Sequence, residues 1–247
     1  TDESHHGEDK LSYYGAHNFL LVRNGLGGDC FGVFVDFPGK VYYDIGYTDH
    51  DTLRFHTEEP DYNLYILTGK NETAICKAFR KLIGQSYIPP KWAFGFAQSR
   101  WGYKTEADVR EIAEQYRKNH LPLDMICMDI DYMQNYADFT INKERFPDLK
   151  KLSDDLKAEG IHLVPIIDAG IRIDPDDETC QEGLEKDYFC KKADGTPFVA
   201  AVWPGKAYFS DFLRPEVREW FGERYHVRTD LGIEGFWNDR NEPALFY

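Results

Sequence analysis

Acidic, basic and tryptophan side chains recur in this sequence directly after short apolar runs. The side chains that follow the four runs are Arg100 and Trp101, Asp129 and Asp131, Asp168, and Asp239, Arg240 and Glu242. Placing a carboxylate at the end of a buried strand costs free energy unless it has a partner or a catalytic task. Because the pattern appears four times, it favours one shared site over four unrelated polar turns.

Clustered carboxylates beside indole rings suit a sugar-binding site. Carboxylates serve as nucleophile, general acid or acceptor of sugar hydroxyls, and indole rings stack on the apolar faces of sugars. Trp203, in the segment VWPG, adds another indole. Two alternatives remain open at this point. A magnesium site could use the carboxylates, and Asp131 and Asp168 could cap helices. No His follows any of the four runs, which disfavours zinc.

The elements that must position these residues alternate along the second part of the chain. Strands are predicted at 92–96, 122–128, 161–167 and 233–237, and helices at 105–119, 149–159 and 215–231. Near-continuous apolar strands in a β-α-β order are typical of a buried parallel sheet. A doubly wound sheet is disfavoured because Gly95 and Gly102 do not form a phosphate-binding turn. We therefore predict an α/β fold, a (β/α)8 TIM barrel with only about its first half present. The connection 169–211 is too long for a simple loop, which suggests that it is functional.

The first part of the chain has a different pattern. Short β-like runs at 18–22, 30–35, 40–43 and 64–67 alternate with glycine and proline turns, and a helix is predicted at 71–82. This indicates part of an antiparallel β-sandwich. Two prolines at 89–90 mark the change of pattern. We assign residues 1–84 to the end of the sandwich domain with its linker, and residues 85–247 to the half barrel.

Bulk composition excludes several classes of function. The 247 residues carry a net charge of −14, and no basic stripe exists that could bind a nucleic acid backbone. No apolar run approaches the length of a membrane span, so no membrane partner is expected. Five cysteines, an odd number without metal-binding spacing, indicate free thiols and a cytoplasmic location. A bridge between Cys180 and Cys190 stays open.

From about residue 88 to residue 247 the chain resembles glycoside hydrolase family 31, the retaining α-glucosidases and their relatives. The resemblance rests on PPKWAFG at 89–95, RWGY at 100–103, PLD at 122–124, DIDYM at 129–133, DFT at 138–140, RFP at 145–147, VWPG at 202–205, GFWND at 235–239 and NEP at 241–243. The preceding part resembles, more weakly, the end of the family's amino-terminal β-sandwich. The resemblance supports the barrel prediction and implies roles for individual residues.

The implied catalytic nucleophile is Asp239, with Glu242 as a supporting residue. Family likeness assigns the other site residues to substrate binding: Asp129 and Asp168 to sugar hydroxyls, Trp203 and Trp237 to aromatic walls, Ile130 and Ile166 to aliphatic lining, Trp101 to a loop that varies with substrate, and Asp2 to a loop lent by the sandwich domain. No metal and no organic cofactor is implied.

Two departures from the family limit this transfer. Arg240 stands where the family usually has Met, and its guanidinium either favours ionised Asp239 or turns away to a surface acid. The family's general acid/base lies beyond residue 247, whereas a retaining mechanism needs two carboxylates about 5 Å apart. We therefore expect the chain to be a piece of a longer polypeptide whose remainder supplies the acid/base.

The resemblance implies an exo-acting, retaining α-glucosidase. It would hydrolyse terminal α-linked glucose from oligosaccharides through a covalent glycosyl-enzyme. Alternatives on the same scaffold are an α-xylosidase or a transglycosylase, and the alternative outside enzymes is a non-catalytic sugar-binding subunit. A homo-oligomer is left open.

Overall fold

The computed structural model describes residues 17–25, 27–241 and 243–246, and the chain divides into two compact units after Ile88. The elements of the first unit are β1 (Phe19–Arg23), β2 (Cys30–Asp36), β3 (Val41–Ile45), β4 (Leu53–Thr57), β5 (Asn63–Thr68) and α1 (Glu72–Ile83). Strand β2 pairs with β1 and β5 in an antiparallel sheet, and β3 and β4 form a separate antiparallel pair. Phe79 of α1 stacks on Phe19 at 4.0 Å between ring centroids. Strand β4 was not predicted, because its sequence LRFHT mixes charged and apolar residues.

The second unit contains the remaining elements. Its strands are β6 (Ala97–Arg100), β7 (Met125–Met128), β8 (His162–Asp168), β9 (Gly170–Arg172), β10 (Val199–Val202), β11 (Gly205–Phe209) and β12 (Trp237–Asp239). Its helices are α2 (Glu106–Lys118), α3 (Leu149–Ala158), α4 (Glu178–Glu185), α5 (Pro215–Arg224) and α6 (His226–Thr229). Strands β6, β7, β8 and β12 lie side by side in chain order, all parallel. Sequential parallel strands joined by helices are the arrangement of a (β/α)8 barrel.

Local sequence explains where the helices begin. Thr105 and Asp108 form a capping box at the start of α2, since each side chain accepts the backbone N–H of the other residue. Asp148 accepts the N–H of Lys151 at the start of α3. Pro215 occupies the first turn of α5, where its missing N–H is not needed. These caps fix the helices that cover one face of the parallel sheet.

The two faces of the parallel sheet have different surroundings. Gln98 of β6 pairs in register with Ile126, and its side chain accepts a hydrogen bond from the Tyr116 hydroxyl of α2. This face therefore points to the helices. Because side chains alternate along a strand, Asp168 and Asp239 belong to the opposite face, the inside of a barrel. They are in-register neighbours in β8 and β12.

Two strand predictions were wrong, because both began too early. The strand predicted at 92–96 lies before β6, and its first three residues belong to a 3₁₀ turn at Lys91–Phe94. The apolar run at 233–237 precedes β12 and contributes only its last residue to it. The two misplaced segments pack together: a Cβ on Gly235 would lie 2.8 Å from the Trp92 indole, which stacks on His162 at 4.2 Å. These apolar segments thus pack at the end of the sheet that is remote from Asp168 and Asp239.

The long connection after β8 has its own structure. It contains α4 and a small antiparallel sheet in the order β10-β11-β9. Trp203 lies in the tight turn between β10 and β11. The helix predicted at 215–231 is two helices, α5 and α6, which meet at Tyr225. In the part of the chain that the structure describes, no helix is long and apolar enough to cross a membrane.

Candidate active site

Three carboxylates lie at the carboxyl ends of neighbouring parallel strands. Asp129 follows the last residue of β7, Asp168 ends β8, and Asp239 ends β12. Asp168 and Asp239 are direct partners in the ladder, and neighbouring strands are about 4.8 Å apart. This brings together three of the five acids that the sequence analysis found after the apolar runs. Asp168 is only 3% exposed, whereas Asp129 and Asp239 are partly exposed.

Crowding and burial change how these acids titrate. Burial and the charges of Asp239 and Asp129, opposed by Arg240, together raise the pKa of Asp168 to about 7. Burial also raises the pKa of Asp129, with smaller contributions from Asp131 and Asp239. The N–H of Ile130, which donates to Asp129 at 2.8 Å, acts in the opposite direction. Near neutral pH the rim therefore carries less negative charge than three carboxylates would in water.

Three indole rings lie on chain segments that adjoin this acidic rim. The Trp237 Nε1–H donates to the carbonyl oxygen of Met128 at 3.3 Å, so the indole reaches from β12 across β8 towards β7. Trp101 and Trp203 are 5.8 Å apart between ring centroids, and both are exposed. The rings of Trp203 and Phe246 meet edge to face at 4.9 Å. Exposed indoles beside carboxylates are the combination that sugar faces and hydroxyls require.

Arg240 contacts two aromatic rings and a backbone carbonyl in the segment that follows β12. Its guanidinium lies 4.8 Å from the ring centroid of Trp203 and 4.6 Å from that of Phe246, and it donates to the carbonyl oxygen of Ala244 at 3.0 Å. It makes no ion pair with any acid in the described ranges 17–25, 27–241 and 243–246. Both aromatic contacts are cation–π contacts. Arg240 therefore ties Trp203 to the segment that follows β12.

The remaining predicted site residues fall into three groups. Ile130 and Ile166 are each 1% exposed and belong to the main hydrophobic core. Asp131 is buried and faces Arg145 at 3.6 Å. Asp2 and Glu242 lie outside the described residues. Neither Asp131 nor Asp168 caps a helix, and it is Asp129 that caps the 3₁₀ turn Ile130–Tyr132.

Sequence reasoning assigned no role to three buried polar residues below the rim. Tyr132, Asp138 and Arg228 are 0%, 3% and 0% exposed. Asp138 belongs to the DFT motif, which was noted only as part of a resemblance. Nothing in the sequence indicates that Arg228 is buried, because a charged residue near the end of a predicted helix is ordinarily on the surface. Across the described ranges, no group of three or more His, Cys, Asp or Glu side chains has the geometry of a metal site.

Sequential parallel strands with acids and indoles at their carboxyl ends place the chain in the class of (β/α)8-barrel proteins that bind ligands at that rim. Residues 86–247 match the model of the glycosyl hydrolases family 31 TIM-barrel domain. The chain belongs to glycosyl hydrolase family 31. The predicted fold, a partial barrel preceded by antiparallel sheets, is thereby confirmed.

Relatives with known names and structures agree with this assignment. The chain is 43% identical to Alpha-glucosidase 2 of Bacillus thermoamyloliquefaciens over 98% of its own length and 30% of that protein. It is 33% identical to Alpha-xylosidase 1 of Arabidopsis thaliana over 94% and 26%. The solved family 31 alpha-glucosidase from Bacteroides thetaiotaomicron superposes with a TM-score of 0.84 at 33% identity, over 94% of this chain and 39% of that one. The chain thus spans about a third or less of the curated relatives' length.

Proposed function

We propose that this chain carries the nucleophile of an exo-acting, retaining α-glucosidase that releases terminal α-linked glucose from oligosaccharides. The observation that carries the proposal is the position of Asp239, in register with Asp168 at the carboxyl rim and two residues from Trp237. The family assignment and the 43% identity to a protein named Alpha-glucosidase 2 support it. Because the chain covers a fraction of that relative, the activity belongs to the complete protein.

In this proposal Asp239 attacks the anomeric carbon of the terminal glucose. The bond to the leaving oxygen breaks as a general acid donates its proton, and a covalent glycosyl-enzyme ester forms. The same group then acts as a base and takes a proton from water, which attacks the anomeric carbon and restores the Asp239 carboxylate. The remainder of the polypeptide supplies this acid/base, since Asp129 and Asp168 are assigned to sugar binding.

The rim suits the charge that develops in the reaction. The transition state resembles an oxocarbenium ion, so positive charge grows on the ring while it is bound among carboxylates. Only contacts that strengthen in the transition state accelerate the chemical step. Asp129 and Asp168 would accept sugar hydroxyls, and Trp203 and Trp237 would pack on the ring. Trp101 would contact the part of the substrate beyond the first sugar.

We also propose roles for four further residues and a location for the protein. Ile130 and Ile166 would support the pocket floor, Glu242 would assist Asp239, and Asp2 would contribute a carboxylate to the site. A cytoplasmic location rests on the five cysteines, all of which are free thiols. A homo-oligomer and the domain limits 1–84 and 85–247 rest on the sequence alone.

An α-xylosidase is the second candidate, and the observation in its favour is the 33% identity to Alpha-xylosidase 1. The two activities differ in whether the pocket has room for the hydroxymethyl group of glucose. Initial rates on nitrophenyl α-glucoside and nitrophenyl α-xyloside separate them. We expect the glucoside to be the better substrate by at least tenfold in kcat/KM. Transglycosylation would appear in the same assay as longer saccharides.

A fluorinated α-glucosyl fluoride tests the nucleophile in the full-length protein. Such a substrate forms the glycosyl-enzyme faster than water removes it, so the attached mass can be located by peptide mapping. We expect the label on Asp239 and none in Asp239→Ala. Asp148→Asn is the matched control, because Asp148 is an exposed helix cap and its replacement should label normally. A label on any other residue would overturn the assignment, and sugar binding without label or turnover would favour a non-catalytic subunit.

A further inference from the structure

Strand β8 extends three residues beyond its pairing with β7. The last pair in that ladder is Met128 with Pro165, whereas β8 runs on to Asp168. On its other side, β12 pairs with Ile166, Ile167 and Asp168. At the last three residues of β8, the backbone groups that face β7 therefore have no strand with which to form hydrogen bonds. Buried backbone groups without partners are costly, so something else must satisfy them.

Two side chains from one segment take the place of the missing strand. The Tyr132 hydroxyl donates to the carbonyl oxygen of Ile166 at 2.7 Å. The Asp138 Oδ1 accepts the N–H of Asp168 at 2.9 Å. Residues two apart in a strand present their backbone groups to the same side, so both bonds fall on the side that β7 has left. Both side chains are buried, which shields these bonds from water.

A third buried side chain holds the segment that carries them. Arg228 of α6 is 0% exposed, donates to the carbonyl oxygen of Thr140, and places its guanidinium 5.1 Å from the centroid of the Tyr132 ring. The N–H of Asn142 donates to the carbonyl oxygen of Tyr132 at 2.8 Å. Burying an arginine is expensive. Through these contacts Arg228 links α6 to the segment 130–142.

We propose that Tyr132 and Asp138 are positioning residues that replace the missing strand at the end of β8 and thereby fix Asp168 beside Asp239. Neither is assigned contact with the sugar, and each acts through the backbone of β8. The inference rests on the proposed function for its effect on catalysis. Its structural part, the placement of Asp168, stands independently of any activity.

Replacing Asp138 with asparagine removes the charge of the side chain and keeps its hydrogen-bond acceptor, so this variant tests the positioning role alone. An asparagine oxygen accepts the same N–H of Asp168, whereas alanine leaves that N–H buried and unpaired. In the full-length enzyme we expect Asp138→Ala to lower kcat/KM by about 10- to 100-fold and Asp138→Asn to stay within about threefold of wild type. Tyr132→Phe keeps the ring beneath Arg228 and removes only the hydroxyl, and we expect it to lower kcat/KM about tenfold.

Tyr103→Phe is the matched control for a loss of stability alone. The Tyr103 hydroxyl accepts a hydrogen bond from Gln98 at 2.9 Å, on the helix-facing side of the same sheet. We expect this variant to lower Tm as Tyr132→Phe does while leaving kcat/KM unchanged. The proposal would be overturned by wild-type kcat/KM in Asp138→Ala, or by an Asp138→Asn variant that loses as much as Asp138→Ala. If Asp138→Ala does not fold, Asp138→Asn and Tyr132→Phe still decide.

Crystal structures distinguish a failure here from a failure of the proposed function. An inactive wild-type enzyme would contradict the α-glucosidase assignment only. In that case the position of Asp168 in the Asp138→Ala and Asp138→Asn structures is the test. A displaced Asp168 carboxylate in the alanine variant alone supports the proposal, and an unmoved one in both contradicts it.

Discussion

Arg240 stands where the family resemblance leads us to expect methionine, and its contacts suggest what the guanidinium does. The guanidinium lies against Trp203 and Phe246 at 4.8 and 4.6 Å. A cation–π contact contributes about 0.5–2 kcal/mol. If Trp203 forms part of the sugar site, loss of this support should weaken ground-state binding. We expect Arg240→Met to raise KM about three- to tenfold with little change in kcat, measured by steady-state kinetics.

A matched control for this change exists elsewhere in the second unit. Arg214 also lies over an aromatic ring, 5.6 Å from the centroid of Tyr188, before α5. Arg214→Met removes the same type of contact, and we expect no change in KM. Arg240→Lys keeps the charge without the planar group and should fall between wild type and Arg240→Met. An unchanged KM in Arg240→Met would show that Trp203 needs no such support.

The raised pKa of Asp168 leads to a prediction about how stability depends on pH. Burial, with the charges of Asp239 and Asp129, raises its pKa to about 7 from the ordinary value of 3.8. Between these two pH values the folded state holds a proton that the unfolded state releases, so stability falls as pH rises through the window. The shift corresponds to at most about 4 kcal/mol. Asp168→Asn lacks this term, so we expect its Tm relative to wild type to be higher at pH 8 than at pH 4.

Asp194→Asn provides a control of opposite sign. Hydrogen bonds from Thr196 hold the pKa of Asp194 below its ordinary value. That carboxylate therefore stabilises the folded state more at pH 8 than at low pH, and its replacement should cost more at pH 8. Differential scanning calorimetry gives the comparison, with Asp168→Asn measured at pH 4 and pH 8 and Asp194→Asn measured at pH 8 and below pH 3.8. Equal pH dependence in wild type and Asp168→Asn would mean that Asp168 titrates normally.

At the scale of elements, periodic patterns predicted most helices and strands but misplaced two strands. The helices at 105–119 and 149–159 were predicted within a residue or two, because caps and helical spacing are local signals. The runs at 92–96 and 233–237 are apolar because Trp92 and Gly235 pack together before their strands begin. Apolar composition alone cannot tell a strand from a segment that covers the end of a sheet.

The same limit decides which site residues the sequence can reveal. Asp129, Asp168 and Asp239 were found because each follows or ends a strand, a pattern that one stretch of sequence contains. Asp138 was missed because its contact is with a backbone N–H thirty residues away. No spacing or periodicity encodes such a contact, which depends on β7 ending earlier than β8.

A substitution at Gly95 tests how tightly the segment before β6 is packed. A Cβ at this position would lie 2.1 Å from the carboxyl carbon of Asp124, whose Oδ2 accepts the N–H of Phe96 at 2.8 Å. Alanine must displace Asp124 and break that bond. We expect Gly95→Ala to lower the free energy of unfolding by about 2 kcal/mol or more, measured by chemical denaturation.

Gly222→Ala is the control for Gly95→Ala. Gly222 lies in α5, and a Cβ there would meet no atom within 4 Å. Alanine has the higher helix propensity, so this variant should gain about 0.5 kcal/mol. Opposite signs in the two variants would assign the loss to the contact with Asp124. A neutral Gly95→Ala would mean that Asp124 can move at no cost.

At the scale of the whole molecule, the parallel sheet has two edges that need partners. Within the described ranges β6 and β12 each pair on one side only. The inner face of the sheet carries Trp237 and Asp239, which a closed barrel would surround with further strands. Open edges and an uncovered barrel interior favour association with other chains. A polypeptide restricted to residues 1–247 should therefore behave differently from the full-length protein.

We expect that restricted polypeptide to bind an apolar dye such as ANS and to self-associate at micromolar concentration. Its thermal transition should be broad, because the second unit cannot bury the inner face of its sheet. The full-length protein under the same conditions should unfold cooperatively with little dye binding. Size-exclusion chromatography with light scattering and calorimetry measure both. A monodisperse 1–247 monomer with a sharp transition would mean that four strands close their own edges, and Asp239 would then need its acid/base from within residues 1–247.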